Sequence, residues 1–299
     1  MSRTFLATLQ FDGTGFVGWQ RQPAGRSVQA EFESVLARLF GRPASAHAAG
    51  RTDAGVHATG LGVSFLAPAR WGAVPLQRAL NALLPRQCWV ERVDEMHPGF
   101  HARKSALSRR YRYDIGTDAA AASPFRRPFE WALGRPLDLA ALRGAATLLH
   151  GTHDFQAFAA KGPPKPHYHC RLGLARWELR PAGAGVSFEV EADRFLHHMV
   201  RMLVGTMVDV GLGRRPLSDI DMLLGSGDNQ RTSPPAPAEG LYFIRASYPA
   251  ELYLTEVNPL AQPNRPIDLD RQSEPAIGVT PLLAPSGRER TADPATRDG

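Results

Sequence analysis

The chain has 299 residues, of which 43% are hydrophobic and 21% charged, a composition that fits a globular protein and excludes a collagen, a coiled coil and a wholly disordered chain. The formal net charge is +6, and 32 of the 35 basic residues are arginines. Because guanidinium groups bind phosphate well, nucleic acid is a candidate partner, although genomic base composition can produce the same arginine bias.

The cellular compartment is predicted from cysteines and hydropathy. Cys88 and Cys170 are the only cysteines, too few for a disulfide framework. The start of the chain does not fit a signal peptide, because the alternating residues 4–11 run into Asp12. The most apolar stretch, 195–213, contains charged and histidine side chains, which excludes a bilayer span. We therefore expect a reduced, cytoplasmic protein with no membrane partner.

Strands and helices are predicted to alternate in the first half. Phe5, Ala7, Leu9 and Phe11 fall on one face of a strand of period two. Ser27 is a suitable N-cap for a helix that ends near Gly41 and Pro43. The other elements predicted here are a strand at 60–65, a helix at 76–84, and strands at 88–93 and 108–115.

The second half repeats this scheme loosely. Asp138 is predicted to cap a helix that continues to Leu149, and 171–179 with 185–191 form a predicted hairpin. The remaining predicted elements are a long helix from about 194 to 211, a shorter helix at 217–224 and a strand at 241–246. These elements predict an α+β fold in which two similar α/β halves share a mixed, largely antiparallel sheet, with helices packed on one side.

The expected domain organisation follows composition. Residues 1–115 form the first half, 116–137 a linker rich in Ala, Pro and Arg, and 138–255 the second half. Residues 251–299 contain seven prolines, five arginines and eight acidic residues, and 256–299 are expected to be a disordered tail.

Residues 50–58, GRTDAGVHA, carry the most chemical information. They follow a run of small residues and precede a predicted strand, so they form a loop. An Asp followed two residues later by Gly fits ordinary turn chemistry. Arg51 and His57 add cationic groups near Asp53, which could then act as a nucleophile or general base whose ionised form they favour.

Five motifs in fixed order resemble those of the TruA-type tRNA pseudouridine synthases. They are FDG and GWQRQ at 11–13 and 18–22, GRTDAGVHA at 50–58, FHAR and RRYRY at 100–103 and 109–113, FLHHMVR at 195–201, and EGLY at 239–242. Together they cover about 245 residues, and five ordered matches are far more specific than any one of them.

The resemblance implies a set of catalytic residues and a catalytic cleft between the halves. Asp53 corresponds to the aspartate that attacks the target nucleotide, at C1′ or at C6 of the base, or by a glycal route. Tyr111 corresponds to the tyrosine that packs against the base and can take the C5 proton. Arg51 corresponds to the arginine that fills the space of the flipped nucleotide or contacts its phosphate, and Arg201 to the one that pairs with the aspartate.

The residue pattern itself supports Arg201 more than Tyr111. Tyr111 lies on an alternating strand, where most tyrosines belong to the core. Arg201 falls at the edge of the apolar stripe of its helix, one turn after His197, so we expect an internal partner for it.

Substrate-binding residues are also implied. They are Gln20, Gln22, Tyr111, Arg103, Arg109, Arg110 and His197. The arginines, together with Arg112, form a predicted RNA-facing patch, and the alternative is a solvated strand face.

No metal or other cofactor is expected, because isomerisation involves neither a redox step nor hydrolysis. Two histidine groups, at 197–198 and 167–170, invite a metal interpretation. Adjacent histidines on a helix point about 100° apart, and the second group lacks a further ligand cluster at zinc spacing, which disfavours that interpretation.

The implied substrate is uridine at about positions 38 to 40 of the tRNA anticodon stem-loop, and the implied assembly is a homodimer. Residues 155–171 depart from the family pattern, which bears on substrate positioning. The alternatives are a non-catalytic RNA-binding module on the same scaffold, a synthase acting on another RNA, and an Asp-dependent hydrolase, for which no second carboxylate or His stands at suitable spacing.

Overall fold

The computed structural model describes residues 1–162 and 167–254, which form five α-helices and ten β-strands. The helices are α1 (Val28–Phe40), α2 (Ala73–Leu83), α3 (Leu139–Thr147), α4 (Met199–Gly211) and α5 (Ser218–Ser226). The strands are β1 (Ser2–Phe11), β2 (Ala46–Ala48), β3 (His57–Pro68), β4 (Cys88–Met96), β5 (Ser108–Gly116), β6 (Trp131–Ala132), β7 (Gly151–Asp154), β8 (His169–Leu179), β9 (Val186–Ala192) and β10 (Leu241–Ser247).

One sheet contains all ten strands. Its order is β4-β1-β3-β10-β5-β9-β8-β7, with β2 paired to β3 and β6 paired to β5. β10 is parallel to β3, and β6 is parallel to β5, whereas the other pairs are antiparallel. The predicted α+β class with a mixed, largely antiparallel sheet is therefore confirmed. Because β10 lies between β3 and β5, this late strand stands at the centre of the sheet.

Helix α1 packs on the first half of the sheet. The Ser27 hydroxyl accepts a backbone hydrogen bond at its start, and Gly41 ends it with a left-handed φ of 71°. Phe32 of α1 contacts Phe65 of β3 edge to face, and Phe65 is paired across the sheet with Phe5 of β1. The N-cap and the apolar spacing predicted this helix correctly.

Helices α3 and α4 cover the second half. The Asp138 carboxylate caps α3 by accepting two backbone hydrogen bonds. Trp177 of β8 lies beside Phe188 of β9 with ring centroids 5.0 Å apart, and its indole N–H donates to the Met207 sulfur of α4 at 3.4 Å. The predicted β8–β9 hairpin is confirmed, and α4 packs directly on it.

The predicted start of the long helix was wrong. Helix α4 begins at Met199 and not near Arg194, since the preceding residues form a loop. The Asp193 carboxylate accepts the Arg194 N–H at 2.7 Å, and His198 takes a left-handed backbone with φ 61°. The apolar spacing of 195–211 continues through this loop, and the whole segment therefore resembled one longer helix.

All of the described residues belong to one compact unit. The segment 116–137 contributes β6 and a short 3-10 turn at Ala119–Ala122. The division into halves at 1–115 and 138–255 stays a prediction, and the expected tail at 256–299 lies outside the described residues. Among the helices of the described part, none has both the length and the apolar character needed to cross a membrane.

Shortening a buried leucine of α4 is expected to destabilise the fold. Leu203 is 0% exposed, so Leu203→Ala should lower the free energy of unfolding by about 2–5 kcal/mol through lost burial and a residual cavity. Leu179→Ala removes the same atoms from a side chain that is 68% exposed and is the matched control. Urea unfolding of both variants tests this, and equal losses would contradict it.

Candidate active site

Asp53 lies in the loop between β2 and β3, and this loop rests on the segment that follows β1. The Trp19 N–H donates to the Thr52 carbonyl at 3.1 Å, and the Gly55 N–H donates to the Phe16 carbonyl at 3.3 Å. The motif at 11–22 therefore supports the backbone on both sides of Asp53.

Two glycines permit this close approach. A Cβ at Gly13 would lie 2.2 Å from the Val56 carbonyl oxygen, and one at Gly18 would lie 2.5 Å from the Thr52 carbonyl oxygen. Gly18 also has a φ of +102°, which L side chains rarely adopt. These positions explain in physical terms why the motif at 11–22 accompanies the aspartate loop.

The Asp53 carboxylate is paired with Arg201 of α4. Arg201 Nη1 donates to Asp53 Oδ2 at 3.2 Å, while Arg201 Nε donates to the Ala236 carbonyl at 2.7 Å. The side chains are 24% and 18% exposed, so solvent still reaches the carboxylate. The predicted internal partner of Arg201 is thus present, and the contact is a charge-assisted hydrogen bond.

Two histidines also face Asp53. His197 Nε2 lies 3.6 Å from Asp53 Oδ1, and His198 Nε2 lies 3.3 Å from Asp53 Oδ2. Burial lowers the pKa of His198, an effect that the Asp53 charge opposes. The argument that these histidines diverge on a helix was wrong, because both precede the first residue of α4. Their nitrogens and the Asp53 carboxylate can hold a metal ion together.

Tyr111 of β5 forms an aromatic floor near Asp53. It is 8% exposed and contacts Phe195 and Phe243 edge to face, with ring centroids 5.0 Å away in both cases. Burial raises the pKa of the Tyr111 phenol, and the negative charge of Asp53 raises it further. The hydroxyl therefore keeps its proton at neutral pH, and it can take up another only after passing its own proton on.

Arg109 holds three loops around this site. Its guanidinium donates to the carbonyls of Ala49 at 3.2 Å, Ala106 at 3.2 Å and Asp193 at 2.8 Å, and also to the carbonyl of Arg103. Ala49 lies just before the aspartate loop, Arg103 and Ala106 lie before β5, and Asp193 follows β9. The structure thus gives Arg109 a set of backbone partners, and RNA contact by this residue stays a prediction.

The structure divides the predicted arginine patch, because Arg109 lies beside Arg103 whereas Arg110 and Arg112 do not. Arg110 alternates with Tyr111 and so lies on the opposite face of the sheet, where its Nε donates to the buried Glu191 at 2.6 Å. Arg112, on that same face, pairs with Asp114 at 3.2 Å. Arg103 is exposed, and RNA contact stays a prediction for it.

The other predicted residues lie nearer the surface. Arg51 is exposed in the aspartate loop, and within the described part of the chain it forms no ion pair. Gln20 is half-buried, and Gln22 is exposed with its amide donating to the Val17 carbonyl at 3.2 Å. Substrate contact by these three residues stays a prediction.

Sequence reasoning missed two residues of the site. His198 adjoins Asp53 although only His197 was assigned to substrate binding, and the shared motif at 195–201 was the signal for both. Phe243 directly follows the motif at 239–242, but its contact with Tyr111 depends on the pairing of β10 with β5.

Comparisons with known proteins agree on one family. A family model described as tRNA pseudouridine synthase matches residues 145–249. A relative from Moorella thermoacetica named tRNA pseudouridine synthase A is 40% identical over 246 residues, covering 81% of this chain and 98% of the relative. Relatives of the same name from Thermus thermophilus and Myxococcus xanthus are 42% identical over 257 residues and 41% identical over 247 residues. These alignments cover 83% and 81% of this chain, and 98% and 90% of the respective relative.

Adding a methyl group at Gly18 is expected to displace the aspartate loop. Gly18→Ala should speed hydrogen exchange of the amides in 50–58 and destabilise the protein, because its Cβ would meet the Thr52 carbonyl oxygen at 2.5 Å. Gly15→Ala is the matched control, since Gly15 has a similar φ of +80° but no atom within 4 Å of the added Cβ.

Backbone strain of about 1–2 kcal/mol is then common to both variants, and only the steric contact differs. Hydrogen exchange read by mass spectrometry measures the loop directly. Equal exchange at 50–58 in the two variants would contradict the role assigned to Gly18.

Proposed function

The chain belongs to the tRNA pseudouridine synthase family, and we propose that it converts uridine of the tRNA anticodon stem-loop into pseudouridine with Asp53 as nucleophile. A member of this family is an isomerase. The bond between C1′ and N1 breaks, the uracil turns, and a bond between C1′ and C5 forms. C5 loses a proton and N1 gains one, so the reaction needs no oxidant and no hydrolytic water.

The Asp53–Arg201 pair is the observation that carries this proposal. The guanidinium contacts Oδ2 alone, at 3.2 Å, which leaves Oδ1 without an arginine partner. A carboxylate that is held by a guanidinium on one oxygen, with no arginine on the other, is suited to nucleophilic attack.

Tyr111 supports the same proposal as the platform for the target base. An enzyme that acts on a base in folded RNA must take the base out of its stack and hold it against an apolar or aromatic surface. Tyr111 is fixed between two phenylalanines and lies near Asp53, so a base resting on it would present its sugar to the carboxylate. In this proposal, Arg51 fills the place that the flipped nucleotide leaves.

The finer substrate assignment comes from the family motifs. We propose that the targets lie at about positions 38 to 40, that the working form is a homodimer, and that the enzyme acts in the cytoplasm. A net charge of +6 supports attraction to the phosphate backbone. Recognition by shape suits an enzyme that reaches adjacent nucleotides.

Mapping the product on unmodified tRNA tests the function. Carbodiimide labelling followed by primer extension should locate pseudouridine in the anticodon stem-loop after incubation with the full chain. Binding to tRNA without any product would instead favour a non-catalytic RNA-binding module. Product in ribosomal RNA or mRNA fragments but not in tRNA would mean that the substrate is another RNA.

Removing the nucleophile should separate chemistry from binding. Asp53→Asn is expected to abolish tritium release from C5-tritiated uridine in tRNA, while tRNA affinity stays within a few-fold because phosphate contacts supply most of it. Asp209→Asn is the control, since Asp209 pairs with Arg214 and should keep wild-type turnover. Loss of binding together with turnover in Asp53→Asn would mean that Asp53 is structural.

A further inference from the structure

Three side chains with metal-binding atoms converge at one point of the active site. The ligand atoms of Asp53, His197 and His198 all lie within 4.8 Å of one another. The two histidine nitrogens are 3.6 Å and 3.3 Å from the carboxylate oxygens. In a tetrahedral zinc site with bonds of about 2.0–2.1 Å, ligand atoms are about 3.3 Å apart, so small side-chain rotations suffice.

The backbone before α4 creates this convergence. His198 has a left-handed φ of 61°, a conformation that histidine adopts more readily than most residues. This turn places the two imidazole rings side by side, with centroids 4.0 Å apart, and both rings present Nε2 to the same carboxylate.

The donor set selects a class of cation. Two imidazole nitrogens and one carboxylate oxygen suit zinc and neighbouring transition-metal dications, whereas magnesium and calcium prefer oxygen ligands alone. Three protein ligands leave one coordination position open for water, as in zinc sites that are not purely structural. Arg201 contacts the same carboxylate at 3.2 Å, and its positive charge opposes the cation.

We propose that Asp53, His197 and His198 of the free enzyme bind a divalent transition-metal cation of the zinc class, and that the bound cation inhibits the enzyme. The cation is not a cofactor, because it would occupy the carboxylate oxygens that the reaction needs. It would also stand where the target nucleotide must arrive, so the metal and the flipped nucleotide exclude each other. The inhibitory role rests on the proposed function, whereas the binding site does not.

Calorimetric titration of zinc chloride into the full chain tests the site. Wild type should bind one zinc ion per chain, and Asp53→Asn, His197→Gln and His198→Asn should each weaken binding by at least ~10-fold. Asparagine tolerates the left-handed backbone at 198, and His197 is 61% exposed, so both histidine variants should fold, which circular dichroism checks.

His169→Gln is the matched control, because His169 is stacked on His167 in another histidine pair. It should bind zinc like wild type. Unchanged zinc binding in the three site variants, or loss of binding in His169→Gln alone, would overturn the proposal.

Inhibition is measured separately by tritium release from tRNA. The zinc concentration that halves the rate of turnover should rise with the tRNA concentration. EDTA should restore the rate, and magnesium at the same concentration should not inhibit. Zinc that binds through these residues without slowing turnover would overturn the inhibitory role. A chain that binds zinc there but never acts on tRNA would contradict the proposed function and the inhibitory role, and would support the metal site.

Discussion

The ion pair between Asp53 and Arg201 is the constraint on which the candidate site depends. Its members are 148 residues apart in the chain, one in the loop before β3 and the other in α4. Their contact requires that the two halves of the sheet be joined, which β10 achieves by lying between β3 and β5. The Ala236 carbonyl holds the guanidinium from the other side, so its direction is set before any substrate arrives.

Local signals predicted much of the fold. Ser27 and Asp138 cap their helices as expected, and the Pro-Ala-Gly segment at 181–183 joins β8 to β9 in the predicted hairpin. These features depend on neighbours within a few residues, so one sequence suffices to find them. Motif order indicated the family that the comparisons show, and the expected pairing of Arg201 with Asp53 is present in the structure.

Other features depend on contacts between distant segments and left no local signal. The position of β10 at the centre of the sheet could not be predicted from its seven residues. Arg109 looked like part of a basic patch, but its partners are backbone carbonyls from three loops. The left-handed backbone of His198 interrupts an apolar pattern that reads as continuous helix, and this turn brings both histidines to Asp53.

In the proposed reaction, Arg201 holds the Asp53 carboxylate in position for attack. The most direct test is the single-turnover rate of tritium release for Arg201→Lys and Arg201→Met, with tRNA affinity measured alongside. Arg201→Met is expected to slow the reaction by ~100-fold or more. Arg201→Lys should retain part of the rate because it keeps a positive charge beside Asp53, and both variants should bind tRNA within a few-fold of wild type. A rate for Arg201→Met close to that of wild type would contradict this role of Arg201.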